Sequence, residues 1–536
     1  MMPGSPATPA HPTRRRLAYF AIGSVVGLTG GLGNALVAAN IANIQGSLGL
    51  TPDQSAWLTT AYLMTNVSMS LLLVKFRQQF GLVTFARIFL PAYVLLTAAH
   101  LLVHAYETAL IVRAMSGIAA SALSTLSLLY IMQSMPAPWR LKGIVLGIGI
   151  PQLATPLARL FSSDLLERGQ WTMLYVFELG MAMISLALIF LLRLPPSERM
   201  NAFEKLDFVT FALYAPGVAL LCAVLGQGRI LWWTEAPWLG WATCLSLLLL
   251  AGAIIVEHNR ANPLLNTRWM GSRDIVRFAF VAMSVRVLLS EQSYGAFGLL
   301  QVVGLNNDQY GLLAGILVLA TVTGVVASAL TINPMNLGRP LFWSVALIAA
   351  GSFMDADSSN LTRPADMYLS QAMIAFAAVF FMGPTLLFGI LRALAKGPNH
   401  IVSFSALFSI TQSLGGLAGS AFLGTFQVMR EKFHSNAITQ SLSLTDPQVA
   451  AHIQQLGGAY GKVLGDPTLR AAEGAATLAQ QATREANILA FNDIFLLIGC
   501  VAVLILMWIG ARQLRMYITG VNPMAEPLAA MARMRG

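Results

Sequence analysis

Charge is what this sequence has least of. Only 10% of its 536 residues are Asp, Glu, Lys or Arg and 56% are hydrophobic, whereas a water-soluble chain carries about 25% charged residues because its surface must face water. A deficit that deep excludes a soluble globular protein and assigns most of the surface to lipid. Cysteine is almost as scarce. Cys222, Cys244 and Cys500 all fall in apolar runs, which excludes a disulfide framework and a zinc knuckle. No G-x-x-x-x-G-K-[ST] occurs and no polar stretch is long enough to be an ATPase domain, so a primary pump in one chain is excluded. The seven histidines are scattered. His100 and His104 are spaced to share a helix face, but without a third ligand nearby they read as an interfacial pair rather than a metal site. No span carries the His/Asp or His/Glu cluster of an intramembrane hydrolase or acyltransferase. No metal, cofactor or enzymatic chemistry is expected.

Long apolar runs are what the chain has instead. A bilayer core about 30 Å thick needs about 20 apolar residues per helix, and fourteen such stretches occur: 17–41, 55–74, 88–104, 108–134, 143–163, 172–193, 208–226, 237–256, 275–300, 310–331, 340–354, 367–390, 401–427 and 487–512. The first follows Arg14, Arg15 and Arg16 and is too long for a signal-peptide core, so it reads as an uncleaved helix. The net charge of +10 then becomes a question of where the cations lie. With both termini cytoplasmic, 21 of the 33 Lys and Arg fall in inner loops and tails, and the short outer loops hold only Arg168, Arg229 and Arg363. That imbalance sets the orientation by the positive-inside rule. The basic balance is topology, not a nucleic-acid surface. Segments follow accordingly: a cytoplasmic tail 1–16, a six-helix bundle 17–193, two extra helices 208–256, a second six-helix bundle 275–512 and a cytoplasmic tail 513–536. A large outer loop, 428–486, interrupts the second bundle; its end, "LRAAEGAATLAQQATREANILAF", is helix-forming and is expected to run unbroken into the last span.

Small residues recur at helical spacing. Gly416, Ser420 and Gly424 repeat every four residues, beside Gly415 and Gly419, and Gly143 and Gly147 do the same on the fifth span, which lets helices approach closely. Pro151 and Pro156 remove backbone donors within that span and should bend it. Bent, closely packed helices suit a protein that rocks between two states, and equally a static bundle.

Several segments together resemble the 14-span drug:proton antiporters of the major facilitator superfamily, the EmrB/QacA type, from about Gly31 to Gly510. "SAWLTTAYLMTNVSMSL" (55–71, with Trp57 and Tyr62) is similar to that family's second span, and "RAMSG", Arg113 to Gly117, to its fourth. Asp207 and "LGQGRILWW" resemble the first extra helix, Glu257 with Pro263 the loop after the second, and "SFSALFSITQSLGGLAGSAFLGTF" (403–426) the penultimate span. The resemblance implies an all-α integral membrane protein of the major facilitator fold, two six-helix bundles plus two extra helices. It also implies alternating access in a cell inner membrane and export of small toxic compounds in exchange for protons. Gram-negative members work with a membrane-fusion adaptor and an outer-membrane channel, which makes the loop from Val428 the candidate contact. Three motifs depart: the acid usual in the first span falls at Gly33, Gln78 stands at the acidic position after the second, and Arg159 replaces a glycine of the fifth-span antiporter motif. A non-transporting sensor with a transporter fold and a uniporter or importer of organic acids are the alternatives.

Ionisable groups inside spans cost several kcal/mol and are functional candidates by default. At 1.5 Å per residue, Arg113 and Glu178 lie roughly 8 to 10 Å below the outer boundary and Arg159 roughly 6 Å below it, so Glu178 is expected to pair with Arg159 or Arg113, as a gate or as a static bridge. Arg277 can snorkel to the inner boundary. Arg286 and Glu291 lie deeper; Glu291 is the expected main proton-coupling residue, with Glu178 and Arg113 beside it in that role, and a fixed Arg286/Glu291 bridge is the alternative. With no acid in the first span, the arginines Arg113, Arg159 and Arg286 make the cavity cationic and favour a weakly acidic or neutral aromatic substrate. Asn34, Tyr62, Gln292 and Tyr294 complete the expected substrate contacts, the tyrosines serving equally as packing. Gly117, Pro151, Pro156, Gly415, Gly416 and Gly419 are expected to carry the conformational packing.

Overall fold

A computed structural model describes residues 11–195, 199, 201–397, 399–443, 445–520, 522 and 524–533. Most of the proposed N-terminal tail, 1–10, and the last three residues of the proposed C-terminal tail lie outside the described residues. The described chain is all helical. In order run α1 (Thr13–Ala39), α2 (Ile41–Leu48), α3 (Pro52–His100), α4 (Tyr106–Ser134), α5 (Arg140–Gln152), α6 (Ala154–Leu191), α7 (Lys205–Gln227), α8 (Pro237–His258) and α9 (Thr267–Met270). Then follow α10 (Arg273–Leu288), α11 (Phe297–Val302), α12 (Gly311–Thr331), α13 (Gly338–Asp355), α14 (Tyr368–Lys396), α15 (Asn399–Ser441), α16 (Pro447–Gly458), α17 (Pro467–Thr519) and α18 (Ala525–Arg533). Among the described residues, 11 helices are long and apolar enough to cross a membrane. This is a multi-pass membrane fold.

Local chemistry explains the main breaks. α3 starts at a capping box in which Gln54 Oε1 accepts the Thr51 N–H (3.0 Å), with Pro52 at the first helical position. It turns at Gly81, whose φ of 80° and ψ of 164° lie where a side chain is disfavoured. The fifth apolar run breaks at Leu153, between Pro151 and Pro156, so that α5 ends at Gln152 and α6 starts at Ala154. The ninth run is not one α-helix: Glu291–Ala296 form a π-helical segment between α10 and α11. Much of the stretch expected as a large loop, 428–486, is helical, because α15 continues to Ser441 and α17 begins at Pro467.

Apolar burial divides along the chain. One set of buried side chains comes from α1, α3, α4 and α6, among them Tyr19, Phe85, Tyr93 and Leu123. A second comes from α10 to α15 and α17, joined by Ile144 of α5, and includes Phe297, Phe381, Phe404 and Phe495. The α7/α8 pair packs on both, through Tyr214, Val218 and Cys222 against Val67 and Leu71 of α3 and Val402 and Ala406 of α15.

Ion pairs fasten that pair of helices at the end of the molecule where Lys and Arg crowd the connections. Asp207, wholly buried, accepts from Lys75 Nζ (2.6 Å) and Arg260 Nη1 (2.9 Å). Arg260 also reaches Glu257 (2.7 Å) and Glu204 (2.8 Å). Glu257 takes further hydrogen bonds from the Leu265 N–H (2.9 Å) and the Thr210 hydroxyl. Every charge in this clamp has an opposite partner.

Candidate functional site

Arg113 is held deep in the first half, 1% exposed, by α1 and the first part of α3. Its Nη1 donates to the Gly33 carbonyl (2.9 Å), Nη2 to Asn34 Oδ1 (2.8 Å) and Nε to the Leu58 carbonyl (3.3 Å). The guanidinium also lies over the Tyr62 ring at 4.6 Å. Gly117, one helical turn on, lets α4 touch α3: a Cβ there would stand 2.3 Å from the Tyr62 carbonyl oxygen.

Glu178 does not pair with Arg113 or with Arg159, contrary to expectation. Its Oε1 accepts from the Tyr93 hydroxyl at 2.7 Å, and its Oε2 has no hydrogen-bond partner. The carboxyl rests against Gly33, where a Cβ would come within 2.5 Å of Glu178 Oε1 and 2.6 Å of the Tyr93 oxygen. His100 and His104 do not form a pair either, since His104 is exposed while His100 is buried. The His100 ring stacks on Tyr175 at 4.4 Å.

Arg159 is on α6 and reaches across to the second half, with its guanidinium 3.5 Å from the centroid of the Phe297 ring. Its Nη1 is buried without a hydrogen-bond partner. The same end of the molecule is joined by Asn307, whose Nδ2 donates to Asn40 Oδ1 (2.8 Å) and to the Ala39 carbonyl (3.1 Å). The sequence depth placed Arg113, Glu178 and Arg159 in one stratum; the structure brings the first two near Gly33 and turns the third toward the other half.

In the second half Arg286 and Glu291 form no bridge. Arg286 Nε donates to the Gln412 carbonyl (3.1 Å), and its side chain lies on α15, where Cβ atoms at Gly415 and Gly416 would each come within 3.0 Å of it. Gly419 accommodates Ser290, 2.2 Å from its would-be Cβ. Glu291, on the π segment and fully buried, accepts from Gln371 Nε2 (3.0 Å), and the same nitrogen donates to Asp355 Oδ2 (2.8 Å). The Ser370 hydroxyl donates to the other Asp355 oxygen at 2.5 Å. Gln292 Nε2 donates to the Gln371 carbonyl (3.2 Å). Tyr294 takes Arg229 over its ring at 5.2 Å and on its hydroxyl at 3.3 Å. Arg277, half exposed, lies 4.0 Å from Asp274 at the cation-rich end.

Asp355, Gln371 and Tyr93 are the site residues that the sequence reading missed. Asp355 falls one position past the eleventh apolar run, 340–354, and there passes for a loop acid. α13 ends on it and buries it to 3% exposure. Gln371 and Tyr93 are single polar groups inside apolar spans; Gln371 is wholly buried, and a buried amide must be hydrogen-bonded.

The family model for the Major Facilitator Superfamily matches residues 23–420. The chain belongs to that superfamily. Among known proteins it is similar to the multidrug export protein EmrB of Escherichia coli (strain K12), 24% identical over 479 residues that span 85% of this chain and 88% of the other. The fold is shared with the human organic anion transporter MFSD10 (TM-score 0.53, 14% identity, 92% of this chain and 100% of the other). It is shared also with a bacterial homologue of the human drug peptide transporters PepT1 and PepT2 (TM-score 0.55, 11% identity, 94% and 99%). As a major facilitator protein the chain is a secondary transporter of a small molecule across a lipid bilayer, and not an enzyme.

Proposed function

We propose that this transporter exports small amphipathic compounds, weakly acidic or neutral aromatic, in exchange for protons. The observation that carries the reading is the state of the interior charges. Among the described residues Arg113, Arg159 and Arg286 lie within the helix bundle in no direct ion pair with an acid, and Glu178, Glu291 and Asp355 in none with a base. A guanidinium cannot shed its proton in a protein, so an unpaired one is a standing acceptor site for anionic or aromatic groups. A buried carboxyl can take up a proton and give it back. Glu291 is the main coupling residue, and Glu178 supplies from α6 a carboxyl at the place where Gly33 leaves the first span without one. Arg113, Arg159, Arg286, Asn34, Tyr62, Gln292 and Tyr294 line the substrate path.

The likeness to EmrB over most of both chains supports export and, by analogy, a membrane-fusion adaptor on the hairpin formed by the end of α15, α16 and the start of α17. A count of fourteen spans, as two six-helix bundles and the α7/α8 pair, treats α3 as two spans meeting at Gly81: its 49 residues would run about 70 Å if straight, more than two hydrocarbon cores. It also takes α10 with the π segment and α11 as one span, and α13 as another. The positive-inside bias supports an inner-membrane protein with both termini cytoplasmic.

Flux of a fluorescent aromatic acid in proteoliposomes under an imposed pH gradient tests the reading. Gradient-driven flux that is lost in Glu291→Gln, with gradient-independent exchange retained, is the expected result. Flux indifferent to the gradient indicates a uniporter, and no flux of any aromatic acid or neutral aromatic indicates a sensor.

A further inference from the structure

Hydrogen-bond donors around Glu291 do not add up. The Glu291 and Asp355 carboxyls present four oxygens between them, and three donors reach them: the two N–H groups of Gln371, one to each carboxyl, and the Ser370 hydroxyl. Glu291 Oε2 is left enclosed without a partner, in a residue that is 0% exposed. An enclosed oxygen with no donor costs about 1 to 3 kcal/mol. Among the described residues no cation forms an ion pair with either carboxyl. Arg286, at the end of α10, is turned to Gln412 and the glycines of α15, and Arg229, which reaches the π segment, is held on Tyr294. α17 faces the π segment and α11 with Phe495 and Phe491, packed on Gly295 and Gly298; α15 presents Gly424 and the neutral Gln427 to Tyr294; α14 presents the neutral Gln371 and Ser370; and α13 presents a second acid, Asp355.

Two carboxyls bridged by one amide and both buried, with no ion-pair partner among the described residues, cannot both stay ionised. A proton on either supplies the fourth donor. We propose that Glu291, Asp355 and Gln371 form a single proton-binding site in which the two carboxyls share one exchangeable proton and Gln371 sets their spacing. The proposal rests on the proton-coupled reading above and deepens it by moving the coupling site from one residue to a pair. It also gives the proton a path. Asp355 closes α13 two residues before the exposed Asp357, whereas Glu291 lies inside the bundle on the π segment, so the proton passes from water to Asp355 and from Asp355 to Glu291. Gln292, which holds the Gln371 carbonyl, ties that exchange to the backbone of the π segment.

The test combines flux with a direct view of the proton. In proteoliposomes Asp355→Asn should lower pH-gradient-driven efflux at least about tenfold, as Glu291→Gln does, while substrate binding to the detergent-solubilised protein stays within about threefold. Difference infrared spectroscopy of the full chain should show a buried protonated-carboxyl stretch that survives in neither double variant nor empty micelle, the double variant being Glu291→Gln with Asp355→Asn. Gln371→Ala should shift the pH midpoint of transport by about one unit with binding retained, the mark of a positioning residue. Should Asp355→Asn fail to fold, the exchanged pair Glu291→Asp with Asp355→Glu keeps both carboxyls and should keep the gradient response. Wild-type flux and pH profile in Asp355→Asn, with Glu291→Gln inactive, overturn the pair and leave Glu291 alone as coupling residue. Full proton coupling in both single variants overturns the site and leaves the proton-coupled reading standing, whereas wild-type flux indifferent to the pH gradient sinks that reading itself. Stimulation of wild-type flux by sodium at constant pH, lost in Asp355→Asn, overturns the proton as the ligand.

Discussion

Two groups of charges in this molecule are built on opposite rules. In the clamp at the cation-rich end, Asp207, Glu257, Glu204, Lys75 and Arg260 are mutually paired at 2.6 to 2.9 Å. Deeper in the bundle, Glu178 leans on Tyr93, Glu291 and Asp355 on Gln371, Arg113 on carbonyls and Arg159 on a phenyl ring. A paired charge is held in one state, since removing either partner leaves the other uncompensated. A charge resting on neutral dipoles can exchange its proton or accept an ion without breaking a bridge. The clamp therefore reads as structure, and the interior charges as the working parts.

The largest expected effect belongs to the clamp. Asp207→Asn takes from Lys75 its acidic partner and from Arg260 one of three, and loss of one partner from a buried pair costs about 3 to 5 kcal/mol. The detergent-solubilised variant should show a strongly lowered apparent Tm and poor yield, while any protein that folds still transports. Glu178→Gln should do the reverse: near-normal thermal unfolding, with the response to an imposed pH gradient lost. Equal destabilisation by the two substitutions would erase the distinction between clamp and interior.

Gly33→Ala probes the interior more finely. The new Cβ would meet Glu178 Oε1 at 2.5 Å and the Tyr93 oxygen at 2.6 Å, so the carboxyl must leave its hydrogen bond or α1 must shift. Overpacking of this kind costs about 1 to 3 kcal/mol. Transport should follow the behaviour of Glu178→Gln, measured as loss of gradient response at unchanged substrate affinity. Normal coupling in this variant would show that the Tyr93 contact is incidental.

The all-helical multi-pass fold was legible because a bilayer imposes it on composition: apolar runs of span length are visible residue by residue. One turning point was legible because a residue type carries the reason, at the Pro151/Pro156 pair; the turn at Gly81 was not read from the sequence. Partners were not. Arg113 and Glu178 could be named from their cost inside a span, yet which atoms they touch depends on how α1, α3 and α6 pack, and no spacing rule states that. Charge complementarity suggested Arg–Glu bridges; the chain instead sets carbonyls, a phenol and an amide against these groups, all of which look ordinary in sequence. Asp355 was hidden by the position of a helix end, and helix ends are the least sharply written feature of an apolar run.

The smallest effect, and the most discriminating, is expected at Arg159. Its guanidinium contributes two things, a positive charge and a flat face 3.5 Å from the centre of the Phe297 ring. Arg159→Lys keeps the charge but replaces the plane by a compact ammonium, forfeiting about 0.5 to 2 kcal/mol of the stacking contact. Because no acid is left behind, nothing comparable to the stranding of Lys75 follows, and the apparent Tm should fall only slightly. If Arg159 meets the substrate, the KM for an aromatic acid should rise severalfold in Arg159→Lys and further in Arg159→Gln, whereas a neutral aromatic of the same shape should be affected alike by both. If instead the residue only seals the two halves at the end where Asn307 reaches Asn40, both substitutions should change the maximal rate for acid and neutral substrates equally, through easier opening of that end, and KM should not separate them. The ratio of the two KM changes therefore decides whether this arginine belongs with the working charges or is a third kind, a contact between the halves that neither binds nor clamps.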